Sequence, residues 1–393
     1  MDLALYLLVT LITLGAVSVS TLSLVAAIGF LRKLDFPRTD GDASATLILP
    51  LTGDAHDLAR LIAALAAQML KPRRLLIIIE TVTDPAYSQA LKVARESDLA
   101  IEVILAGKAR HCAQKNFNQL AGLSRIGDKD DVVVFLDADI LPPRWWLATL
   151  VAPLLDGTGD VVTGYRWPVI AEPTLGAHLI AAIDRPIAVL PRVPGWARMV
   201  WGGSVALSRS SLGVLDLAGS LATALSDDCV IGERVAANGL RIITRRSLLL
   251  PTPVKSSLLA AWRFGRRQYQ ILGLYRPQMH WLSLAAITTR LAAWIIIGIN
   301  IGTSWWPVAV AVLLLSLALA SHVVRLVIAD RLGLADGTTA LLGQTLLVMG
   351  QPAVDLAHWS MAVAGLARHH VRWGHITYKV SSPHDIEVAV RYR

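Results

Sequence analysis

Residues 131–140 read DVVVFLDADI, an unbroken apolar run closed by Asp137-Ala138-Asp139. A short run without polar interruptions suits a strand buried on both faces, as in a parallel sheet covered by helices. Working outward, Ala45–Leu51 (ATLILPL), Leu75–Ile79 (LLIII) and Ile101–Leu105 have the same character. Helical patterns lie between them. Asp54–Leu70 repeats apolar residues at helical spacing until Lys71-Pro72, residues 85–98 form a polar helix, and Gln114–Leu123 a further one. This alternation predicts an α/β fold with parallel strands and right-handed crossovers. Ligands of such folds bind beyond the carboxyl ends of the strands, so the residues that follow each strand are the ones to inspect. No G-x-G-x-x-G or GK[ST] loop follows the first strand, which removes most support for dinucleotide oxidoreductases and P-loop ATPases.

Apolar residues make up 54% of the 393 and charged residues 17%, with a mean hydropathy of +0.53, too apolar for an ordinary soluble enzyme. The excess lies at the N-terminus and beyond about residue 282. A net charge of +8 raises the question of nucleic acid. The basic residues, however, sit beside apolar segments (Arg32, Lys33, Arg38; Arg263, Arg266, Arg267; Arg368, Arg372, Lys379), a placement that fits positive-inside flanks and anionic headgroups, not nucleic acid. Cys112 and Cys229 are far apart, lack metal-ligand spacing and fit a reducing compartment.

Residues 3–31 carry no charge and are followed by Arg32-Lys33, so they predict a retained transmembrane helix that leads into the cytosol. Two further spans are expected at 282–301 and 305–328. The apolar stretch 338–366 is broken by Gly350-Gln351-Pro352 and carries Asp355 and His358. Counting crossings favours a re-entrant or interfacial helix pair there, with a kinked third span as the alternative.

Four groups of residues can carry chemistry. Asp137 and Asp139 would point to one side and repel each other unless a cation lies between them; Mg²⁺ or Mn²⁺ suits such oxygen ligands and, at the end of a fully apolar strand, is preferred over strand-end turn chemistry. Asp227-Asp228 opens a helix with Ser226 as a possible cap and Asn238-Gly239 at its close. The pair serves equally well as helix-terminal charge or as a general base. Arg263, Arg266 and Arg267 fit an interfacial helix that meets lipid phosphates, or a clamp on a leaving diphosphate. Gly202-Gly203, in Trp201-Gly-Gly-Ser204, allow close backbone approach to a ligand, although a tight turn between strands explains them as well.

In combination these motifs resemble the membrane-bound, inverting family 2 and family 21 glycosyltransferases, especially ceramide glucosyltransferases. The resemblance rests on their order: LPLTG at 49–53, ETVTDPA at 80–86, KNFNQL at 115–120, LDADI at 136–140, WGGSVALSR at 201–209, SDDCVIGERVAANGLRI at 226–242, the arginine helix, and RWGHITYKV at 372–380. It implies a GT-A-type fold that binds a UDP-sugar. Glu80 or Asp84, with Asp84 preferred, would contact the nucleoside. Lys115 and Asn116 would lie near the donor phosphates, Asp137 and Asp139 would hold the metal and diphosphate, and Gly203 would line the donor site. Asp228, beside Asp227, would be the base, and Arg266 with Arg263 and Arg267 would meet the diphosphate. Arg267 stands where the family's closing signature has tryptophan, which leaves the register of the arginines open by one residue.

The expected organisation is an anchor and flank (1–37), a GT-A-type domain (38–257), an interfacial arginine-rich helix (258–281), two transmembrane helices (282–328), the re-entrant or interfacial segment (329–367) and a basic cytosolic tail (368–393). The expected reaction moves a sugar, glucose foremost, from a UDP-sugar to a ceramide-like lipid hydroxyl in the bilayer. The setting would be a cytoplasmic (bacterial inner) membrane with the catalytic domain in the cytosol. A processive polysaccharide synthase and a non-catalytic membrane scaffold are the rival readings.

Overall fold

Strands form where the apolar runs predict them. In the computed structural model, which describes residues 3–55, 57–191 and 200–392, β1 (Ala45–Leu51), β2 (Arg74–Ile79), β3 (Ile101–Leu105) and β4 (Val132–Leu136) pair in parallel in the order β3-β2-β1-β4. Three more strands extend the sheet beyond β4: β5 (Val161–Ile170), β6 (Ser204–Ser208) and β7 (Ile242–Val254), giving β3-β2-β1-β4-β6-β5-β7. Strand β6 runs antiparallel to both β4 and β5.

Helices cover both faces of the parallel block, which is why its strands are apolar throughout. On one face Leu47 and Leu49 pack with α2 (Leu58–Ala66) and α5 (Trp146–Leu155). On the other, Ile48 and Ile78 meet α4 (Gln114–Leu123) at Gly122. Helix α3 (Pro85–Glu96) follows β2, and α7 (Arg209–Leu215), α8 (Leu217–Leu221) and α9 (Asp227–Ala237) follow β6. The amino ends of the parallel strands are tied by buried Asp130, which accepts from Thr46 Oγ1, from the Gly127 amide (2.8 Å) and from Arg73 and Arg74. Their carboxyl ends are left for the site.

The chain divides into two units, and the sheet belongs to the one made of residues 34–166, 192–253 and 369–393. Residues read only as a basic tail fold there as a three-stranded antiparallel sheet of β8 (His370–Trp373), β9 (Ile376–Ser382) and β10 (Asp385–Arg391). The apolar helices therefore do not close the chain. Tyr378 Oη accepts from the Gln114 amide (3.0 Å), and the Val388 amide donates to the Arg110 carbonyl (3.0 Å).

The other unit is all helix among its described residues, apart from strand ends: α1 (Leu3–Arg32), α6 (Leu175–Ala188), α10 (Leu258–Tyr275), α11 (Pro277–Asn300), α12 (Trp306–Arg331), α13 (Thr338–Met349) and α14 (Gln351–Ala364). Helices α1, α11 and α12 are long and apolar enough to cross a membrane. They pack together around Ala16, Ala293, Ile297 and Leu314. Leu3, Leu11, Ile299 and Trp305 on these elements are mostly exposed, a surface that water would disfavour and lipid would cover. The stretch 338–366 breaks at Gly350 into helices of 12 and 14 residues. At 1.5 Å per residue each reaches only ~20 Å, short of a hydrocarbon core of roughly 30 Å. Pro352 falls in the first turn of α14, where a missing N–H costs no helical bond. Asp355 is buried and fully matched, by Arg290 Nη2 (2.9 Å), Trp294 Nε1 (3.0 Å) and Gln351 Nε2 (2.9 Å).

Candidate active site

Parallel pairing brings the residues after β1, β2 and β4 to one edge of the sheet. The antiparallel register of β6 adds Trp201-Gly202-Gly203, because Ser204 pairs with Leu136 and the Asp137 amide donates to the Gly203 carbonyl (3.3 Å). Helix α4 points its first turn at the same place. Its Lys115 Nζ stands 2.7 Å from Asp137 Oδ1 and 3.1 Å from Asp227 Oδ2, bridging the strand end to the start of α9. One turn further on, Gln119 Nε2 donates to Asp227 Oδ2 (2.7 Å). Asn116 Nδ2 and the Ala113 amide both donate to the Ala224 carbonyl (2.9 Å each), which docks α4 on the loop before α9.

The members of the acidic pair differ. Asp227 is 1% exposed and held by Lys115 and Gln119. Asp228 is half-buried, and its Oδ1 accepts from Ser226 Oγ and from the Cys229 amide (2.7 Å). Ser226 occupies the cap position of α9 but makes no capping bond, so its hydroxyl supports the carboxylate instead of the helix. Burial, followed by the neighbouring Asp227 charge, raises the Asp228 pKa. Burial alone would lower Lys115, yet Asp137 and Asp227 outweigh it and keep the ammonium protonated.

Asp139 is exposed, so an ion can reach it from solvent. Desolvation by the surrounding protein, followed by the charge of Asp137, pushes its pKa up to about 6, against the pull of Arg166 and Lys115. Mutual repulsion of this kind is what a hard cation relieves. No group of three or more His, Cys, Asp or Glu side chains gathers for a metal among the described residues. Asp137 and Asp139 therefore fit the Mg²⁺ pattern, in which one or two carboxylates share the ion with water and substrate phosphate.

Glycine at 202 and 203 is required by space. A Cβ on Gly202 would lie 2.5 Å from Asp227 Oδ2 and 3.0 Å from Lys115 Nζ; one on Gly203 would lie 2.3 Å from the Trp201 ring and 3.0 Å from Asp137 Oδ2. The backbone thus approaches the Lys115–carboxylate cluster itself.

Glu80 and Asp84 lie further along the sheet edge, after β2, roughly 10 Å from β4 at ~4.8 Å per strand. Both are engaged. Glu80, 5% exposed, receives Arg391 Nη1 (2.7 Å) and has His375 Nε2 at 3.5 Å. Asp84 caps α3 through the Ala86 amide and ties in Thr52 Oγ1 (2.7 Å) and the Gly53 amide (2.9 Å). Arg263, Arg266 and Arg267 belong to α10 in the helical unit, on one face at helical spacing. Arg263 is exposed, Arg266 stacks over Trp262, and Arg267 lies over Phe264. Sequence reading missed three contributors. Gln119 was visible as the i+4 neighbour of Lys115 within KNFNQL. Arg166, whose charge acts on Asp139, and Arg391 carried no local signal.

A family model described as glycosyl transferase family 21 matches residues 8–386, nearly the whole chain, and the chain belongs to that family. It is a glycosyltransferase with a GT-A-type α/β sheet and membrane-length helices. Among solved structures it is similar to a mannosyltransferase from Pyrobaculum calidifontis in complex with GDP-Man and Mn²⁺, at 16% identity, 91% coverage of this chain, 99% of that chain and a TM-score of 0.46. It is also similar to glucosyl-3-phosphoglycerate synthase from Mycobacterium tuberculosis in complex with phosphoglyceric acid, at 16% identity, 60% and 80% coverage and a TM-score of 0.40. No curated protein sequence matches the chain.

Gly202→Ala should displace Asp227 or Lys115 and lower glycosyl transfer at least tenfold with an unchanged circular dichroism spectrum. Gly213, whose added Cβ would meet no atom within 4 Å, is the control: Gly213→Ala should leave transfer intact.

Proposed function

We propose that the protein transfers a hexose, with UDP-glucose as the first donor to test, onto the hydroxyl of a ceramide-like membrane lipid with inversion at the anomeric carbon. The observation that carries this reading is the Asp228 carboxylate: half-open, held by Ser226 and the Cys229 amide, and next to a Lys115–Asp137–Asp227 cluster suited to a diphosphate and its cation.

Asp228 accepts the proton of the acceptor hydroxyl as that oxygen forms its bond to the anomeric carbon. The bond from the anomeric carbon to the diphosphate breaks, and UDP leaves with the electron pair. A raised pKa suits a base that must hold the proton it takes. Asp137 and Asp139 would hold Mg²⁺ or Mn²⁺, which when bound supplies Lewis-acid neutralisation of the leaving diphosphate. Lys115 orients Asp137, and Gly203 leaves room for the donor. The nucleoside is assigned to the edge carrying Glu80 and Asp84, with Asn116 supporting the donor side through the Ala224 loop. The arginines of α10, Arg266 foremost, keep the role that the family resemblance implies, as charge for the diphosphate.

Residues 38–257 are assigned as the catalytic domain, 1–37 and 282–328 as anchors, and 258–281 and 329–367 as interfacial or re-entrant elements. The basic flanks support an orientation with the domain and the tail on the cytosolic side of a bacterial inner membrane. In a background with Cys112 and Cys229 replaced, Ser381→Cys should be shielded from an impermeant thiol reagent in intact cells. Labelling before lysis would refute this orientation.

Purified protein should convert labelled UDP-glucose and ceramide vesicles to an inverted glycolipid. Chelation should abolish the activity, and Mn²⁺ or Mg²⁺ should restore it; full activity in excess chelator would remove the metal from the proposal.

The sharpest test separates base from helix-terminal charge. Asp228→Asn keeps the shape and can still accept from Ser226 and the Cys229 amide, but it loses the proton acceptor. Turnover should fall by about 10²–10⁴-fold with UDP-sugar affinity largely kept. Asp227→Asn should cost less turnover and more donor affinity, because it loosens Lys115. Near-normal turnover in Asp228→Asn would overturn the mechanism.

A further inference from the structure

The helical unit forms a half-open cavity of about 140 Å³ that the transfer mechanism does not use. Its polar wall includes Arg290, Arg325, Ser321, Gln351, Asp355 and His358, the last bonded to Tyr269 Oη (2.6 Å), and its apolar wall includes Ile183, Ile187 and Val354. All belong to the same unit. Among the described residues, the charges around it do not balance. Asp355 is spent on Arg290, Trp294 and Gln351. Arg185, whose charge also acts on Arg325, is neutralised by Asp336 at 2.7 Å. Arg325 is half-buried, lines the cavity, and has no carboxylate or hydrogen-bond partner among the described residues.

An unpaired guanidinium among membrane-length helices is costly unless an anion reaches it. Arg325 stands six residues before the Arg331 end of α12, ~9 Å along the helix at 1.5 Å per residue. An arginine at this depth can extend toward the headgroups, and its planar fork matches a phosphate. The isoleucines and Val354 beside it favour acyl chains over a hydrated ion.

We propose that this cavity is a lipid-phosphate site, in which Arg325, beside the Arg290–Asp355 pair, binds the phosphodiester of an anionic phospholipid. The site is independent of sugar transfer, and its test reads lipid retention, so it stands or falls apart from the proposed reaction.

Full-length protein in detergent, stripped of lipid, is titrated with dioleoylphosphatidylglycerol, with dioleoylglycerol, or with inorganic phosphate, and bound lipid is counted by native mass spectrometry. One phosphatidylglycerol should be retained per chain, with little dioleoylglycerol and no competition from inorganic phosphate. Arg325→Gln should weaken retention roughly tenfold or more, as expected for lost charge-assisted hydrogen bonds. Arg331→Gln, at the exposed helix end, should not change it. Ser321→Leu keeps the charge, fills the cavity and should also reduce retention, so the idea stays testable if Arg325→Gln does not fold. Equal retention in Arg325→Gln or in Ser321→Leu, equal binding of dioleoylglycerol, or displacement by inorganic phosphate would each overturn the lipid-phosphate site.

Discussion

The site depends on one ammonium group placed between two carboxylates. Lys115 joins the end of the central strand β4, through Asp137, to the first turn of α9, through Asp227. Without it, four carboxylates at one sheet edge would repel one another across a partly desolvated space, and the first turn of α9 would be held to α4 by Gln119 alone among the partners of Asp227. The neighbouring glycines follow from the same constraint, since a side chain at 202 would occupy the space where that ion pair forms. Gln119 completes the arrangement by leaving Asp227 fully engaged, and the half-open position falls to Asp228. Adjacent residues of one type thus acquire different work from their surroundings alone.

Much of this was legible in the sequence, for a physical reason. Strands β1 to β4 are covered on both faces, so their apolar runs could hardly be read as anything else. The residues following them inherit the carboxyl edge of a parallel sheet. Asp137, Asp139 and the Asp227-Asp228 pair stood out by position, after a buried strand and at the start of a helix, and Lys115 bridges the two groups. What stayed hidden depends on contacts between distant segments. Asn116, expected near phosphates, donates to the Ala224 carbonyl. Asp84 is committed to capping α3 and to the loop after β1. Arg391 reaches Glu80 from the last strand, and no periodicity announces a partner so far away.

The helical half shows the complementary case. The break at Gly350-Gln351-Pro352 was visible because glycine and proline punctuate helices whatever surrounds them. The partners of Asp355 were not visible, since Arg290, Trp294 and Gln351 come from α11 and the start of α14. A buried carboxylate announces that it needs cations and donors; only the fold says which.

The ion pair between Glu80 and Arg391 also has a meaning in time. Its two ends are 311 positions apart, and every membrane-length helix is encoded between them or before them. Closing a loop of that size costs entropy that grows only with the logarithm of its length, so the delay is set by synthesis more than by search. The edge of the sheet beside β2 lacks this ion pair until β10 has been made, after α1, α11 and α12. A chain lacking β10 would keep α1, α11 and α12 and the site carboxylates yet leave Glu80 without Arg391. Pairing of Arg391 with Glu80 therefore ties the sheet edge beside β2 to the synthesis of β10, 311 positions later.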